Sequence, residues 1–170
     1  MGDEKTLGSR ALETIAELWE ATEPRVRWGK DRFAWWPGDF SVEVSAHKRI
    51  DGYVPETWML RIRTGFLKDI PAENPKFIRL AAVNAPFCAP TFAWVYPTAE
   101  VWAQHGEAGT RPRLWLSNTA YITPDNIDWL PPFIAMMSIM QPINAQAQHE
   151  NMSKVLGGVA DMERPETLAG

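Results

Sequence analysis

The sequence predicts an α+β fold, with an antiparallel or mixed sheet of about five to six strands and flanking helices. Strand-like segments come in groups and do not alternate strictly with helices, which favours antiparallel pairing. Several of these segments alternate apolar and polar residues, while other stretches have helical periodicity. The expected order is α-β-β-β-α-β-β-α. The length of 170 residues fits one domain over residues 1–160, with polar residues 161–170 as a flexible tail.

The first half begins with a predicted amphipathic helix at residues 9–22. Leu12, Ile15 and Trp19 share one face of this helix, and Pro24 stops it. Three strand-like segments follow at residues 32–36, 40–45 and 57–67, separated by turn residues such as Pro37-Gly38 and Asp51-Gly52. The simplest arrangement of these three strands is an antiparallel meander.

The middle of the chain predicts a second helix at residues 75–86, opened by Pro75 and closed by Pro86. Strands are expected at residues 92–96 and 114–122, with an extra short strand at 100–104.

The last helical region is expected from Thr123 to about residue 156. Thr123 is suited to an N-cap, Pro124 to the first helical position, and Asp125 to the first turn. The Pro131-Pro132 pair and Pro142 must kink or divide this region, because proline lacks the N–H that a helix needs.

Composition excludes several classes of function. The net charge of −4 and pI of about 5.4 argue against nucleic acid as a partner. Residues 86–170 carry 4 Lys/Arg against 8 Asp/Glu, whereas residues 1–85 carry 13 of each. Cys88 is the single cysteine, there is no signal-peptide pattern and no apolar stretch is long enough to cross a membrane, so a cytoplasmic location is expected.

The sequence carries no recognised catalytic motif. It has no glycine-rich phosphate loop, dinucleotide fingerprint, HExxH, CxxC or nucleophile elbow. The three histidines lie in separate elements, whereas a metal site needs at least three converging ligands. We therefore expect no enzyme activity, no cofactor and no metal.

Nine tryptophans are the most informative feature of the composition. Trp19 and Trp58 share faces with aliphatic residues and are expected in the core. Trp115 alternates out of phase with its apolar neighbours, and adjacent Trp35 and Trp36 must point to opposite sides of a strand. Some aromatic surface therefore lies away from the core, where an interface or a covering helix would meet it.

Two further groups of side chains are candidate contacts. Arg61 and Arg63 project from one face of the same strand and form a possible anion contact, or else a solvated sheet face. Methionines cluster on the last helical region, where they either pack on the sheet or form an adaptable binding surface. The candidate partner-binding residues are Trp35, Trp36, Trp94, Trp115, Met136, Met137 and Met140.

The order of elements over about residues 9–150 resembles the fold of type III secretion chaperones and YbjN-like proteins. The likeness lies in the strand Trp58–Arg63 with the helix after it, in Phe77–Asn84 leading to Thr91–Tyr96, and in Arg113–Ile122 leading to the final helix. The resemblance implies a non-enzymatic, cytosolic, often homodimeric domain; secretion chaperones hold an extended partner polypeptide on apolar patches. It transfers no binding residues.

The sequence thus favours a domain that binds another protein, or a second copy of itself, through an aromatic or methionine-rich apolar surface. Two alternatives remain open. One is a small-molecule or anion-binding protein with an aromatic-lined pocket. The other is a purely structural homodimer whose tryptophans fill the subunit interface.

Overall fold

The computed structural model describes residues 5–49, 56–71, 73–76, 100–104 and 113–164. The helices are α1 (Leu7–Leu18), α2 (Leu130–Ser138) and α3 (Met140–Leu156). The strands are β1 (Val26–Trp28), β2 (Arg32–Trp35), β3 (Val42–Lys48), β4 (Trp58–Lys68), β5 (Glu100–Gln104), β6 (Arg113–Ile122) and β7 (Val159–Ala160).

The strands form one antiparallel sheet in the order β1-β2-β3-β4-β6-β5, and β7 pairs with the end of β4. This confirms the predicted α+β class with an antiparallel sheet. The long strand β4 is central, with Trp58 opposite Ile122 and Gly65 opposite Trp115 on β6. The register shifts between Gly65 and Leu67, where a bulge inserts one residue.

The three helices pack on one face of this sheet. Alternate residues of β4, such as Leu60 and Ile62, are buried beneath α1 and α2 together with Ile15 and Ile134. Further along the same face, α3 covers a second cluster that includes Leu67, Leu114, Leu116, Ala145 and Leu156. We call this the helix-covered face. The intervening residues of β4, including Arg61 and Arg63, point to the opposite face.

The final helical region differs from its prediction in where it begins. Residues 124–129 form turns, because the Asn126 side chain accepts a hydrogen bond from the Thr123 N–H and donates one to the Tyr121 carbonyl. Helix α2 begins at Leu130 and has Pro131-Pro132 in its first turn, where missing N–H groups cost least. Helix α2 ends at Ser138, four residues before Pro142, whose missing N–H leaves the Ser138 carbonyl without its helical donor.

Other boundaries also differ. Helix α1 occupies Leu7–Leu18, not residues 9–22, because the Thr6 side chain caps it by accepting from the Ser9 N–H. Strands β1 and β7 were not predicted; each has three residues or fewer, too short for a visible alternation. Of the predicted helix at 75–86 only Pro75-Lys76 are described, in a helical conformation, and the predicted strand at 92–96 lies outside the described residues.

Candidate functional site

Helices α2 and α3 run on from one another as almost one rod. Ile139 between them has helical dihedral angles, φ −59° and ψ −23°, and its N–H donates to the Ala135 carbonyl at 3.1 Å. Side chains spaced three or four residues apart on either side of Ile139 therefore lie on the same side of the rod, as they do in an unbroken helix.

One side of this rod is anchored to α1 and to the sheet by polar contacts as well as by packing. The Trp19 indole N–H donates to the Ala135 carbonyl at 3.1 Å. The Asn118 side-chain amide donates to the Ser138 hydroxyl at 2.8 Å. Gln141 is buried, and its amide oxygen accepts from the Thr64 hydroxyl at 3.3 Å. These contacts fix which side of the rod faces the protein.

The side turned away from the sheet is apolar. Five large side chains at spacings of four, three, four and three residues are exposed: Trp129 (58%), Phe133 (54%), Met136 (72%), Met140 (38%) and Ile143 (53%). We call these five residues the apolar stripe. On a helix, positions at this spacing lie within one narrow band, and this band is opposite the buried side that carries Ile134, Ser138 and Gln141. The spacing is that of a seam that faces another helix.

The stripe lies on a stretch of the chain without charged residues, which is bounded by Asp128 and Glu150. Residues 129–149 contain no Asp, Glu, Lys or Arg. A helix that merely faces water normally carries charged and polar residues on its outer side. Depletion of charge with enrichment of aromatic residues and methionine is instead typical of the centre of a protein–protein interface.

An apolar groove adjoins the stripe at Ile143. It has a volume of 440 Å³ and is lined by Pro37, Gly38, Asp39, Phe40, Ile139, Pro142, Ile143, Gln146 and Ala147. Asp39 is the only charged residue among the described residues that line it. The groove therefore extends the apolar surface from the helices onto the loop between β2 and β3.

The apolar stripe exposes a larger apolar area than isolated apolar residues on a protein surface do. At about 200 Å² for a large side chain, the exposed fractions amount to roughly 550 Å² of apolar surface on each chain. The largest apolar patch on a typical monomer is about 300–600 Å² and is often functional. The stripe is thus the strongest candidate for a binding surface in the described part of the chain.

The opposite face of the sheet carries a second group of interacting side chains. The Arg63 guanidinium lies over the Trp115 ring, 4.7 Å from its centroid, and donates to the Glu43 carboxylate at 2.9 Å. Farther along the sheet, Arg27 lies 5.5 Å from the ring centroid of Trp36. These pairings place aromatic and basic residues side by side on the face that bears no described helix.

Residues Val159–Arg164, the C-terminal strap, begin as β7 beside β4 and then cross this face from Asp161 onward. The Asp161 N–H donates to the Phe66 carbonyl at 3.2 Å, and the Glu163 carboxylate binds Lys68 at 2.7 Å and Arg113 at 3.1 Å. The Lys68 hydrogen bond holds the pKa of Glu163 below its ordinary value. Residues 161–164 of the predicted tail thus lie in the hydrogen-bonded strap, and residues 165–170 lie outside the described chain.

Between the strap and the sheet lies a cavity of 290 Å³, and most of the residues that line it are charged or polar. It is lined by Ala34, Ser41, Glu43, Arg63, Gly65, Arg113, Trp115, Asp161, Glu163 and Arg164. Asp161 is only 4% exposed, and this burial raises the pKa of its carboxyl group, although Arg113 at 4.0 Å opposes the shift. Asp161 Oδ2 and Arg63 Nε are both buried and make no hydrogen bond within the described chain.

Two of the residues proposed as partner contacts are buried. Trp35 stacks on Trp19, with ring centroids 5.3 Å apart, and belongs to the core beneath α1. Trp36 is also buried, with Arg27 against its ring. The expectation that these side chains bind a partner is corrected. Trp35 and Trp36 point to opposite faces of the sheet, but other side chains of the same chain cover both of them.

The remaining predicted contacts divide between the two sites. Met136 and Met140 belong to the apolar stripe, whereas Met137 is half-buried beside it. Arg63 and Trp115 line the cavity, whereas Arg61 does not and instead contacts the Met59 sulfur at 4.0 Å. Arg61 and Arg63 therefore form no joint anion clamp. Trp94 lies outside the described residues.

Sequence reasoning missed Trp129, Phe133 and Ile143. The signal was present, because these residues complete a four-three repeat with Met136 and Met140. Pro131-Pro132 and Pro142 obscured it, since an interrupted helix does not predict one continuous band. The continuity depends on Ile139 keeping helical dihedral angles, which only the structure gives.

Comparisons with known proteins give no family: no protein-family model, no curated protein and no solved structure matches this chain. Within the described ranges, no three His, Cys, Asp or Glu side chains are grouped so as to hold a metal ion. In the same ranges, no helix is both long enough and apolar enough to cross a bilayer.

Proposed function

We propose that this chain is a non-enzymatic protein-binding domain that acts by burying its apolar stripe against a helix of another polypeptide. The observation that carries the proposal is the five-residue stripe on an uncharged stretch, on the side of α2 and α3 away from their own sheet. Removing apolar surface of this kind from water is the main favourable term in protein association. The single cysteine also suits the reducing cytoplasm in which we place this activity.

The geometry favours a helix as the bound element over an extended strand. Exposed residues at spacings of four and three form a narrow straight seam, which accepts the ridge of a facing helix. A strand would need a sheet edge, and the stripe lies on the helical layer instead. Binding requires no change in the domain itself, because Ala135 already fixes the rod to α1, and Ser138 and Gln141 fix it to the sheet.

Site-specific photocrosslinking in cells tests this function. A benzophenone amino acid replaces Met136 on the stripe or, as the control, Leu18, which is 53% exposed on α1. We expect one discrete polypeptide adduct from position 136, and we expect Trp129→Lys in the same chain to abolish it. The proposal fails if positions 136 and 18 give the same adducts, or if Trp129→Lys leaves the adduct unchanged.

A second candidate function, small-molecule binding, is supported by the cavity under the C-terminal strap. Asp161 Oδ2 accepts and Arg63 Nε donates, and burying either atom without a hydrogen bond is costly. The formal charges of the lining residues cancel, because three arginines and three carboxylates line the cavity: Arg63, Arg113, Arg164, Glu43, Asp161 and Glu163. A small zwitterion, with an ammonium group for Asp161 and a carboxylate for Arg63, satisfies both groups.

Ligand-observed NMR with free amino acids tests this candidate, with acetate and ethylamine as probes that carry only one of the two charges. We expect saturation transfer to an amino acid and loss of that signal in Asp161→Asn. Asp31→Asn is the matched control, because Asp31 is exposed and does not line the cavity. Equal signals from the wild type and Asp161→Asn would exclude the cavity as a binding site.

A further inference from the structure

We infer that the polypeptide bound by the apolar stripe is a second copy of this chain, packed antiparallel about a two-fold axis through Met136. This inference rests on the proposed function and names its partner. The stripe is nearly symmetric about its centre: Trp129 and Ile143 lie seven residues to either side of Met136, and Phe133 and Met140 lie three and four residues away. An antiparallel copy therefore presents apolar residues at matching positions.

The symmetry places the most exposed side chain at the axis. Met136 is 72% exposed, more than any other large apolar residue of the described chain. In an antiparallel pair centred there, each Met136 meets the Met136 of the second copy. Interfaces with two-fold symmetry require a patch that complements itself, and methionine adapts its shape to a like neighbour.

The same arrangement fills the apolar groove. It brings Trp129 of each copy to the level of Ile143 of the other, and Ile143 lines the groove formed with Pro37 and Phe40. Trp129 is 58% exposed and stands at the end of the stripe, free to enter the groove of the second copy. An aromatic side chain seated in a facing pocket is the usual anchor of a stable interface.

Charge and area both agree with self-association. Two acidic chains, each with net charge −4, meet over residues 129–149, which carry no formal charge and so add no repulsion. The stripe supplies roughly 550 Å² of exposed apolar surface on each chain. With the groove added, it approaches the standard interface of about 800 Å² per partner.

Disulfide crosslinking tests both the partner and its direction. Single cysteines replace Met136, Phe133 or Met140 in a background with Cys88→Ala, which removes the native thiol. We expect Met136→Cys to oxidise to a covalent dimer with roughly tenfold the yield of a Leu18→Cys control. We also expect a mixture of Phe133→Cys and Met140→Cys to crosslink more strongly than either variant alone.

The outcomes are distinct. Phe133→Cys crosslinking to itself as well as the mixture does would show parallel packing and overturn the antiparallel assignment. No excess at Met136→Cys over Leu18→Cys would overturn the second copy as the partner. In that case the photocrosslink at position 136 separates the two proposals: an adduct that contains a different polypeptide retains the protein-binding function, and the absence of a specific adduct removes both.

Discussion

Asp161 lies directly over Gly65, so closely that a Cβ atom at position 65 would stand 2.6 Å from the Asp161 carboxylate oxygen Oδ2. Gly65 is opposite Trp115 in the pairing of β4 with β6, beside the bulge in β4. The missing side chain thus makes the space in which the C-terminal strap crosses the sheet. It also explains why Asp161 is buried although it lies near the end of the chain.

Replacing Gly65 with alanine should therefore destabilise the domain. The added methyl group overlaps the Asp161 side chain and must displace the strap, which typically costs about 1–3 kcal/mol. Gly38→Ala is the matched control, because a Cβ there meets no atom within 4 Å. Urea denaturation measures both variants. Equal free energies of unfolding for the two variants would show that the strap does not hold Asp161 over Gly65.

Asp161 and Glu163 should make opposite contributions to the pH dependence of stability. Burial raises the pKa of Asp161 above 3.8, so the folded state holds this proton more tightly than the unfolded state. Its contribution is present below pH 3.8 and is lost as pH rises through the raised pKa. Asp161→Asn does not titrate there, so its stability relative to the wild type should increase with pH over this window.

Glu163→Gln provides the contrasting variant. The hydrogen bond from Lys68 lowers the pKa of Glu163 below 4.5, so its contribution is present above pH 4.5 and is lost as pH falls through the lowered value. The stability of Glu163→Gln relative to the wild type should therefore decrease as pH rises. Thermal unfolding of all three proteins from acid to neutral pH measures both trends; parallel curves for the two variants would contradict the opposed shifts.

Gln141 should be a large contributor to the attachment of α3. It is almost fully buried and contacts both the Thr64 hydroxyl and the Ile62 carbonyl on β4. Gln141→Ala leaves a cavity and removes both hydrogen bonds, with an expected loss of about 2–3 kcal/mol in the free energy of unfolding. Exposed Gln146 on the same helix is the control, and Gln146→Ala should change stability by no more than about 0.5 kcal/mol. Equal losses would show that α3 is not held by Gln141.

Local pattern predicted much of the fold because apolar and polar residues alternate along β3, and because β4 alternates between buried and half-buried residues from Trp58 to Arg63. Local pattern did not predict the features whose positions depend on tertiary contacts. The position of the strap depends on the space above Gly65, and Trp36 is buried with Arg27, from a three-residue strand, against its ring. The stripe was recognised only through its methionines, because the prolines concealed the continuity of α2 and α3.

Methionine oxidation measures most directly whether another polypeptide covers the stripe. Met136 is 72% exposed in the isolated chain and Met162, on the strap, is 39% exposed, so peroxide should oxidise Met136 faster when the stripe faces water. In intact cells we predict the reverse order, with Met136 oxidised more slowly than Met162 because a bound helix covers it. If Met136 is oxidised faster than Met162 in cells, with the same ratio of rates as in dilute isolated chains, no helix covers the stripe and the proposed function is contradicted.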